Sequence, residues 1–247
     1  MAFQKTRAVA STPKGADTRA RILAAAARLF AVHGFTGTSF AMIGAAGGVA
    51  TGSIVHCFPD KAALSAAVYR LALDRLAASV TRAIGRYPAD VPGTIDALVS
   101  ACFAWAAACP DDPVLIGRLA EHAAVQDTAA QNVAVQEMDG PQTRLEPLLE
   151  AWAQPLIRAG LVQPLTPAQL YAVIIAPALC AAAAQLDVVD GPAAPVIGWK
   201  TVLVTAALAA VQASSPKSRP PRIASRKARL VSAKLAGPVP PDQTRLL

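Results

Sequence analysis

The side chains that most often do chemistry are few in this sequence, and their spacing matches no catalytic or metal-binding pattern. The four cysteines form no CxxC pair, and no pair of histidines lies near them to complete a zinc site. We interpret them as reduced, mostly buried thiols. No nucleophile motif and no phosphate-binding glycine loop is present. The sequence therefore predicts a protein that is not an enzyme and holds neither a cofactor nor a metal. The four cysteines are Cys57, Cys102, Cys109 and Cys180, and the three histidines are His33, His56 and His122.

Short polar side chains instead gather in the first quarter of the chain, where short helices are predicted. Thr38 and Ser39 can cap a helix of about two turns, which Gly47 and Gly48 then end. A second short helix is predicted over about 50–56. Two short helices joined by a tight glycine turn, and packed on longer ones, are typical of a helix-turn-helix.

Longer helices must position this pair, and the composition favours them. Alanine dominates a 54% hydrophobic content while aromatic residues make up 5%, so we expect an all-α fold. Asp17 is a plausible N-cap for a helix that ends at Gly34, and a fourth helix is predicted from Asp60 to about residue 85. Further helical blocks are predicted near 93–109, 113–126, 129–159, 167–187 and 195–213, the third being kinked or split by Pro141, Pro147 and Pro155.

Charge divides the chain into three parts. Residues 1–64 hold seven Lys or Arg against two Asp, residues 65–213 hold eight against thirteen acidic residues, and residues 214–247 hold eight against Asp242 alone. Basic ends suit a polyanion, and an acidic middle suits packing or small-molecule binding. We predict a flexible basic arm over 1–16, a helix-turn-helix domain over 17–64, a helical sensing and dimerisation domain over 86–213 and a disordered basic tail over 214–247.

The window from Thr18 to Leu64 resembles the DNA-binding domain of the TetR repressor family. The resemblance lies in TRARILAAAARLF, HGF, TSF with Ile43, and GVATGSIVHCFPDKAAL, in that order. It implies that the second short helix lies in the major groove, where short polar side chains reach base edges and phosphates. The implied DNA contacts are Thr38, Ser39, Thr51, Gly52, Ser53, Val55, His56, Lys61 and Arg19, with added charge from Arg21 and Lys14.

Several positions depart from the family pattern. Ala41 and Thr51 stand where a basic residue is frequent, and Val55 stands where tyrosine is typical. Met42 removes the acidic partner that would complete a capping box with Ser39. We therefore expect weaker or unusual operator binding, compensated by the basic arm and tail.

For the second domain, the resemblance implies a helical bundle around an apolar effector cavity, with the last two helices forming a four-helix homodimer interface. A twofold dimer would place its recognition helices on palindromic half-sites of double-stranded DNA one turn apart, ~34 Å. The pocket candidates are Phe103, Trp105, His122, Met138, Trp152 and Tyr171. Each has an alternative interpretation as an ordinary core residue. Cys102 and Cys109 lie seven positions apart on one helix face, so thiol sensing remains open beside inert burial.

Membrane insertion is the alternative for the most apolar stretches, Tyr171–Leu186 and Ala193–Ala213. The first contains Pro177 and Gln185 and the second contains Lys200, whereas a span needs ~20 apolar residues. We predict no membrane span and no secretory signal, and hence a cytoplasmic protein. The expected function is a sequence-specific transcriptional repressor released by a small apolar ligand. The alternative is an architectural protein that binds nucleic acid without sequence preference.

Overall fold

Helices make up nearly all of the chain that the structure, a computed structural model, describes: residues 13–125, 140–186 and 196–212. The predicted all-α class is confirmed. The helices are α1 (Pro13–Gly37), α2 (Phe40–Gly47), α3 (Thr51–Cys57), α4 (Lys61–Arg86), α5 (Val91–Ala108), α6 (Asp111–Val125), α7 (Pro141–Arg158), α8 (Pro167–Leu170), a π-helical segment (Tyr171–Ile175), α9 (Ala176–Leu186) and α10 (Val196–Val211). The predicted tail at 214–247 lies outside the described residues.

The first helix begins earlier than its sequence pattern predicts. It starts at Pro13, a residue whose fixed φ suits the first helical position, and so residues 13–16 are helical rather than part of a flexible arm. Asp17 lies inside the helix and is not its N-cap. The rest of the predicted arm, residues 1–12, lies outside the described residues. At Gly34 the backbone turns to φ 71°, which interrupts the helix where its end was expected.

The first four helices share one small core. The Ile43 side chain of α2 and the Ile54 side chain of α3 are fully buried against α1, together with Ile22 and Leu64. This cluster also contains Leu115, which comes from α6. The helix-turn-helix thus packs on α1 and α4, and α6 adds one of its buried side chains to the same core.

A larger core joins α4 to the later helices. It includes Leu76 and Val80 from α4, Leu98 from α5, Leu149 from α7 and Ile174 from the π-helical segment. Since α4 contributes to both cores, this single 26-residue helix connects the two halves. The C-terminus of α10 is fixed by an antiparallel bridge between Val162 and Gln212.

The three prolines of the predicted 129–159 block occupy different positions in helix α7. Pro141 occupies the first turn of α7, whereas Pro147 and Pro155, both exposed, lie within the helix and do not end it. Residues 126–139, which include Met138, lie outside the described part. Helix α7 thus begins at Pro141, where a missing backbone N–H removes no helical hydrogen bond, and the earlier part of the predicted block lies outside the described residues.

Within the described residues, two helices are long and apolar enough to cross a membrane, judged by length and composition alone: Val91–Ala108 and Pro167–Gln185. Counting the bent pair α2 and α3 as one span would give a third. Helix length therefore does not support the prediction that no span exists. Helix α5 packs against α4, α9 and α10, as expected of a helix buried within a bundle.

Candidate nucleic-acid interface

The second short helix, α3, has one buried side and one exposed side. Ile54 is fully buried and anchors the helix in the N-terminal core. Thr51, Gly52, Val55 and His56 are exposed, Val55 to 49%, and Ser53 is half-buried. The structure thus brings the α3 residues proposed to contact DNA onto one solvent-facing surface, which we call the α3 face.

Gly52 has no structural reason to be glycine. A Cβ built there meets nothing within 4 Å, whereas one built at Gly44 would approach the Val49 carbonyl oxygen at 2.8 Å. Gly44 is therefore required for the close packing of α2 against the turn. At Gly52 the missing side chain leaves the helix backbone open to a close approach from outside.

The turn between α2 and α3 is held by backbone and side-chain bonds. Gly48 adopts the left-handed conformation with φ 59° and ψ 40°, and the Val49 N–H donates to the Gly44 carbonyl at 2.9 Å. The guanidinium of Arg21, on α1, donates to the carbonyls of Gly47 at 2.8 Å and Gly48 at 2.7 Å. Arg21 therefore fixes the turn, which differs from the arm role predicted for it.

Lys61 is the first residue of α4 and lies close to the start of α2. Its ammonium donates to the Thr38 carbonyl at 3.0 Å and lies 4.6 Å from the centre of the Phe35 ring. An ammonium has three N–H donors, so these contacts orient Lys61 without using all of its capacity. They place a positive charge next to the start of α2.

Thr38 is misassigned by the sequence pattern. It is only 2% exposed, and its hydroxyl donates to the Gly34 carbonyl at 2.8 Å, with a second contact to that of Leu29 at 3.2 Å. The prediction that this hydroxyl contacts a phosphate is wrong, because the group is buried and already bonded. Its burial depends on the backbone reversal at Gly34, which helical periodicity does not reveal.

Ser39 is the N-cap of α2, as predicted. Its hydroxyl oxygen accepts from the Met42 N–H at 3.2 Å, and methionine returns no second bond, so the capping box is incomplete. Arg19 is exposed on α1, where its guanidinium lies 4.4 Å from the centre of the Phe58 ring. It belongs to a helix that packs on the end of α3, and not to an arm.

Four of the six pocket candidates lie together in the larger core. Trp105 of α5 and Trp152 of α7 are buried members of it, and Phe103 and Tyr171 pack against it. Burial raises the pKa of Tyr171 to about 12, with smaller contributions from Cys102, Cys180 and Tyr69. The side chain of His122 and all of Met138 lie outside the described residues.

The cysteines differ from their predicted burial. Only Cys102 of the four is buried; Cys57 and Cys109 are half-buried and Cys180 is exposed. Burial raises the pKa of Cys102 to about 12, so it forms almost no thiolate at neutral pH. Cys109 follows the end of α5, so the predicted shared helix face does not hold there, and burial together with Asp112 raises its pKa. Both shifts disfavour the thiolate, which is the reactive form of a cysteine.

Sequence reasoning missed a buried ion pair between the halves. Asp112, at the start of α6, is 2% exposed and its carboxylate accepts from the Arg75 guanidinium of α4 at 3.1 Å. Burial raises the pKa of Asp112, while Arg75 opposes that rise. Acidic residues are frequent in the first turn of helices, so nothing in the sequence distinguishes this one. The pair ties α6 to α4 three residues before Leu115 enters the N-terminal core.

Comparison with known proteins agrees with this geometry. Residues 22–68 match the model of the bacterial regulatory proteins of the tetR family. No curated protein matches the chain. Similar solved structures include a TetR family transcription regulator from Marinobacter aquaeolei VT8, with a TM-score of 0.64 and 18% identity, covering 81% of this chain and 98% of that one. A TetR transcriptional regulator from Chloroflexus aurantiacus J-10-FL has a TM-score of 0.60 and 25% identity, covering 82% of this chain and 100% of that one. A structure described as a transcriptional regulator from Streptomyces coelicolor has a TM-score of 0.53 and 27% identity, covering 80% of this chain and 99% of that one.

The fold and the matched domain define a helix-turn-helix transcriptional regulator with a C-terminal helical domain. Residues 22–68 are similar to the DNA-binding domain of the tetR family, and the chain is similar in fold to solved TetR family regulators. The matched residues contain the turn, the α3 face and Lys61, so the family likeness is concentrated where the exposed polar groups lie.

Proposed function

We propose that this regulator is a cytoplasmic homodimer that represses transcription by binding a palindromic operator and is released from it by a small, largely apolar effector. The observation that carries the proposal is the α3 face. Its side chains are exposed on a helix whose opposite side is anchored by Ile54, and Gly52 permits close approach although folding does not require it. These are the properties of a helix that enters a major groove.

The homodimer is supported by apolar surface on α10. Trp199 is 52% exposed and Val202 is 61% exposed, on a helix whose inner side packs on α5 and α9. Large apolar side chains exposed close together mark interaction sites. A second copy of the same helix would cover them with an identical surface, as a twofold interface requires.

Release by an effector requires a path from the second domain to α3. Helix α6 offers one, because Leu115 lies in the N-terminal core and Asp112 is paired with α4. A ligand that moves α6 would act on both at once. Such a ligand shifts the DNA-binding equilibrium only by the difference between its affinities for the DNA-binding form and the released form of the protein.

We do not retain the architectural alternative. Basic ends alone would explain affinity without sequence preference, but they require neither an ordered turn held by Arg21 nor an exposed α3 face. These features serve to place a helix in one orientation. The DNA contacts we propose are Ser39, Thr51, Gly52, Ser53, Val55, His56, Lys61 and Arg19.

Fluorescence anisotropy with labelled duplex DNA tests this function. At near-physiological salt, the protein should prefer DNA from upstream of its own gene over a scrambled duplex by tenfold or more, about 1.4 kcal/mol. His56→Ala should reduce that preference by about 1–3 kcal/mol, the range for a lost base contact. His33→Ala is the matched control, because His33 is exposed on α1 outside the α3 face. Equal binding to both duplexes that fades with salt would reject sequence-specific regulation.

A further inference from the structure

Two tryptophans in the larger core have indole N–H groups without a hydrogen-bond acceptor. Trp105 Nε1 and Trp152 Nε1 are both fully buried atoms, and neither has a partner among the described residues. The Gln185 Nε2 amide is the third such atom. An unpaired buried polar group is expensive, and native structures retain few of them, so each calls for a physical reason.

These orphan atoms share one chemical property, since all three are nitrogens that donate. A carboxamide can rotate and exchange its nitrogen for its oxygen, so Gln185 can serve either as donor or as acceptor. An indole N–H can only donate. The two tryptophans therefore define a fixed requirement for acceptor atoms inside the core.

Both tryptophans belong to the same core, and their helices pack on the same two elements. Trp105 is on α5 and Trp152 is on α7, and each of these helices packs on α4 and on the π-helical segment at Tyr171–Ile175. The two side chains are members of one continuous cluster of buried residues. A π-helical segment within an α-helix frequently marks a functional site, and here it contacts both of the helices that carry the donors.

Among the described residues of the later helices, no lysine or arginine is buried. Beyond residue 64, every lysine and arginine that the structure describes is exposed except Lys200, which is half-buried and paired with Asp96 at 3.1 Å. The sequence places no lysine or arginine in residues 119–139 or 187–195. A carboxylate or phosphate bound among these helices would thus find no buried cation among the described residues, and burying a charge without one is strongly unfavourable.

We infer that the effector is a neutral, largely apolar molecule carrying carbonyl- or ether-type oxygens, which accept hydrogen bonds from the indole N–H groups of Trp105 and Trp152. This inference rests on the proposed effector-controlled function and specifies its ligand. The apolar body of the molecule replaces water around the core side chains, and its oxygens pair the two donors. A hydrocarbon of the same shape would leave both donors unpaired, and an acid would add an uncompensated charge.

Three small probes of similar size separate these cases: acetophenone, which has a carbonyl oxygen; ethylbenzene, which has none; and benzoate, which is charged. Full-length protein labelled with 15N-tryptophan gives an indole signal for each of its three tryptophans, Trp105, Trp152 and Trp199. Acetophenone should move the indole proton signal of Trp105, Trp152 or both downfield and leave exposed Trp199 unchanged. Ethylbenzene should cause no downfield shift, and benzoate should bind more weakly than acetophenone.

Trp105→Phe and Trp152→Phe keep an aromatic ring and remove the donor. Each variant should lose roughly three- to tenfold in acetophenone affinity, the range for one hydrogen bond, and keep its ethylbenzene affinity. Tyr87→Phe removes a donor from an exposed ring outside the core, and this control variant should change neither affinity. The inference is overturned if acetophenone moves neither buried indole signal, if its affinity survives both substitutions, or if benzoate binds more tightly. The wild-type spectra decide the matter even if a variant fails to fold.

The same samples separate this inference from the proposed function. If acetophenone shifts the indole signals but leaves DNA affinity unchanged, the donor site stands and control by an effector at this site fails. If acetophenone weakens DNA binding without moving either buried indole signal, effector control stands and the inference about the two tryptophans fails.

Discussion

The N-terminal half and the C-terminal half of this protein treat their polar and apolar groups differently. Around the helix-turn-helix, Thr38 donates to carbonyls, Arg21 closes the turn and Lys61 binds the start of α2. In the later helices, Trp105 and Trp152 hold donors that no described residue pairs, and Trp199 exposes its ring. In the first half, these polar side chains hydrogen-bond to backbone carbonyls of the same half and so fix the helix-turn-helix. The second half leaves such groups unpaired or exposed within the part of the chain that the structure describes.

Breaking the N-terminal core should produce the largest effect. Ile54→Ala removes a fully buried side chain beneath the α3 face, and such changes cost about 2–5 kcal/mol because the cavity closes only in part. Urea denaturation measures the loss of unfolding free energy. Val55→Ala is the matched control on the exposed side of the same helix and should stay within about 0.5 kcal/mol. Equal losses in both variants would mean that α3 is not anchored as described.

The C-terminal half should depend on a second copy of the chain. Trp199→Ser removes an exposed aromatic from α10, and an interface tryptophan is commonly worth about 2 kcal/mol or more, so the dimer dissociation constant should rise about 30-fold. Sedimentation equilibrium measures it. Val32→Ser, 66% exposed on α1, should leave dimerisation unchanged. If both variants remain dimers of unchanged affinity, α10 does not form the interface.

The ion pair between the halves predicts an unusual pH dependence. Because burial raises the pKa of Asp112 above its ordinary 3.8, the folded protein binds a proton at a pH where the unfolded chain has released it. The contribution of Asp112 to stability should therefore increase as pH falls through the raised pKa toward 3.8, and be lowest above it. Comparing urea denaturation of wild type and Asp112→Asn between pH 7 and 4 isolates this contribution.

Asp96→Asn is the control for that experiment, because Asp96 is exposed where it pairs with Lys200. The difference in unfolding free energy between wild type and Asp96→Asn should not grow as the pH falls from 7 to 4. A wild-type protein that loses stability relative to Asp112→Asn as the pH falls would show instead that Arg75 outweighs burial.

The smallest effect concerns the departures of the α3 face from its family. Thr51→Lys places on an exposed position the basic residue that the family resemblance leads one to expect, and one new phosphate contact should steepen the salt dependence of DNA binding by about 0.9 in log–log slope. Anisotropy titrations across a salt series measure the slope. Ala24→Lys, on the exposed side of α1, adds the same charge elsewhere and should change the slope less. Identical slopes for the two variants would place position 51 away from phosphate.

Sequence reasoning predicted the local features well, because caps and glycines act through nearby atoms. Ser39 caps α2, Gly48 ends it in the left-handed conformation, and the α3 side chains lie on one exposed surface. It failed where distant residues decide the outcome. The burial of Thr38 and the turn contact of Arg21 depend on how α1 packs. No periodic pattern shows that two tryptophans will lack acceptors, since that depends on every neighbour in the fold.

Selection of binding sites from a pool of random duplexes tests the central claim most directly, because the pool assumes no particular operator sequence. The account predicts enrichment of an inverted repeat whose half-sites are centred about one helical turn apart, ~34 Å, as two α3 helices of a twofold dimer would require. His56→Ala should weaken the enrichment within each half-site and leave the spacing intact. A pool that survives repeated selection with no common sequence would contradict the account, because the α3 face would then bind DNA without reading it.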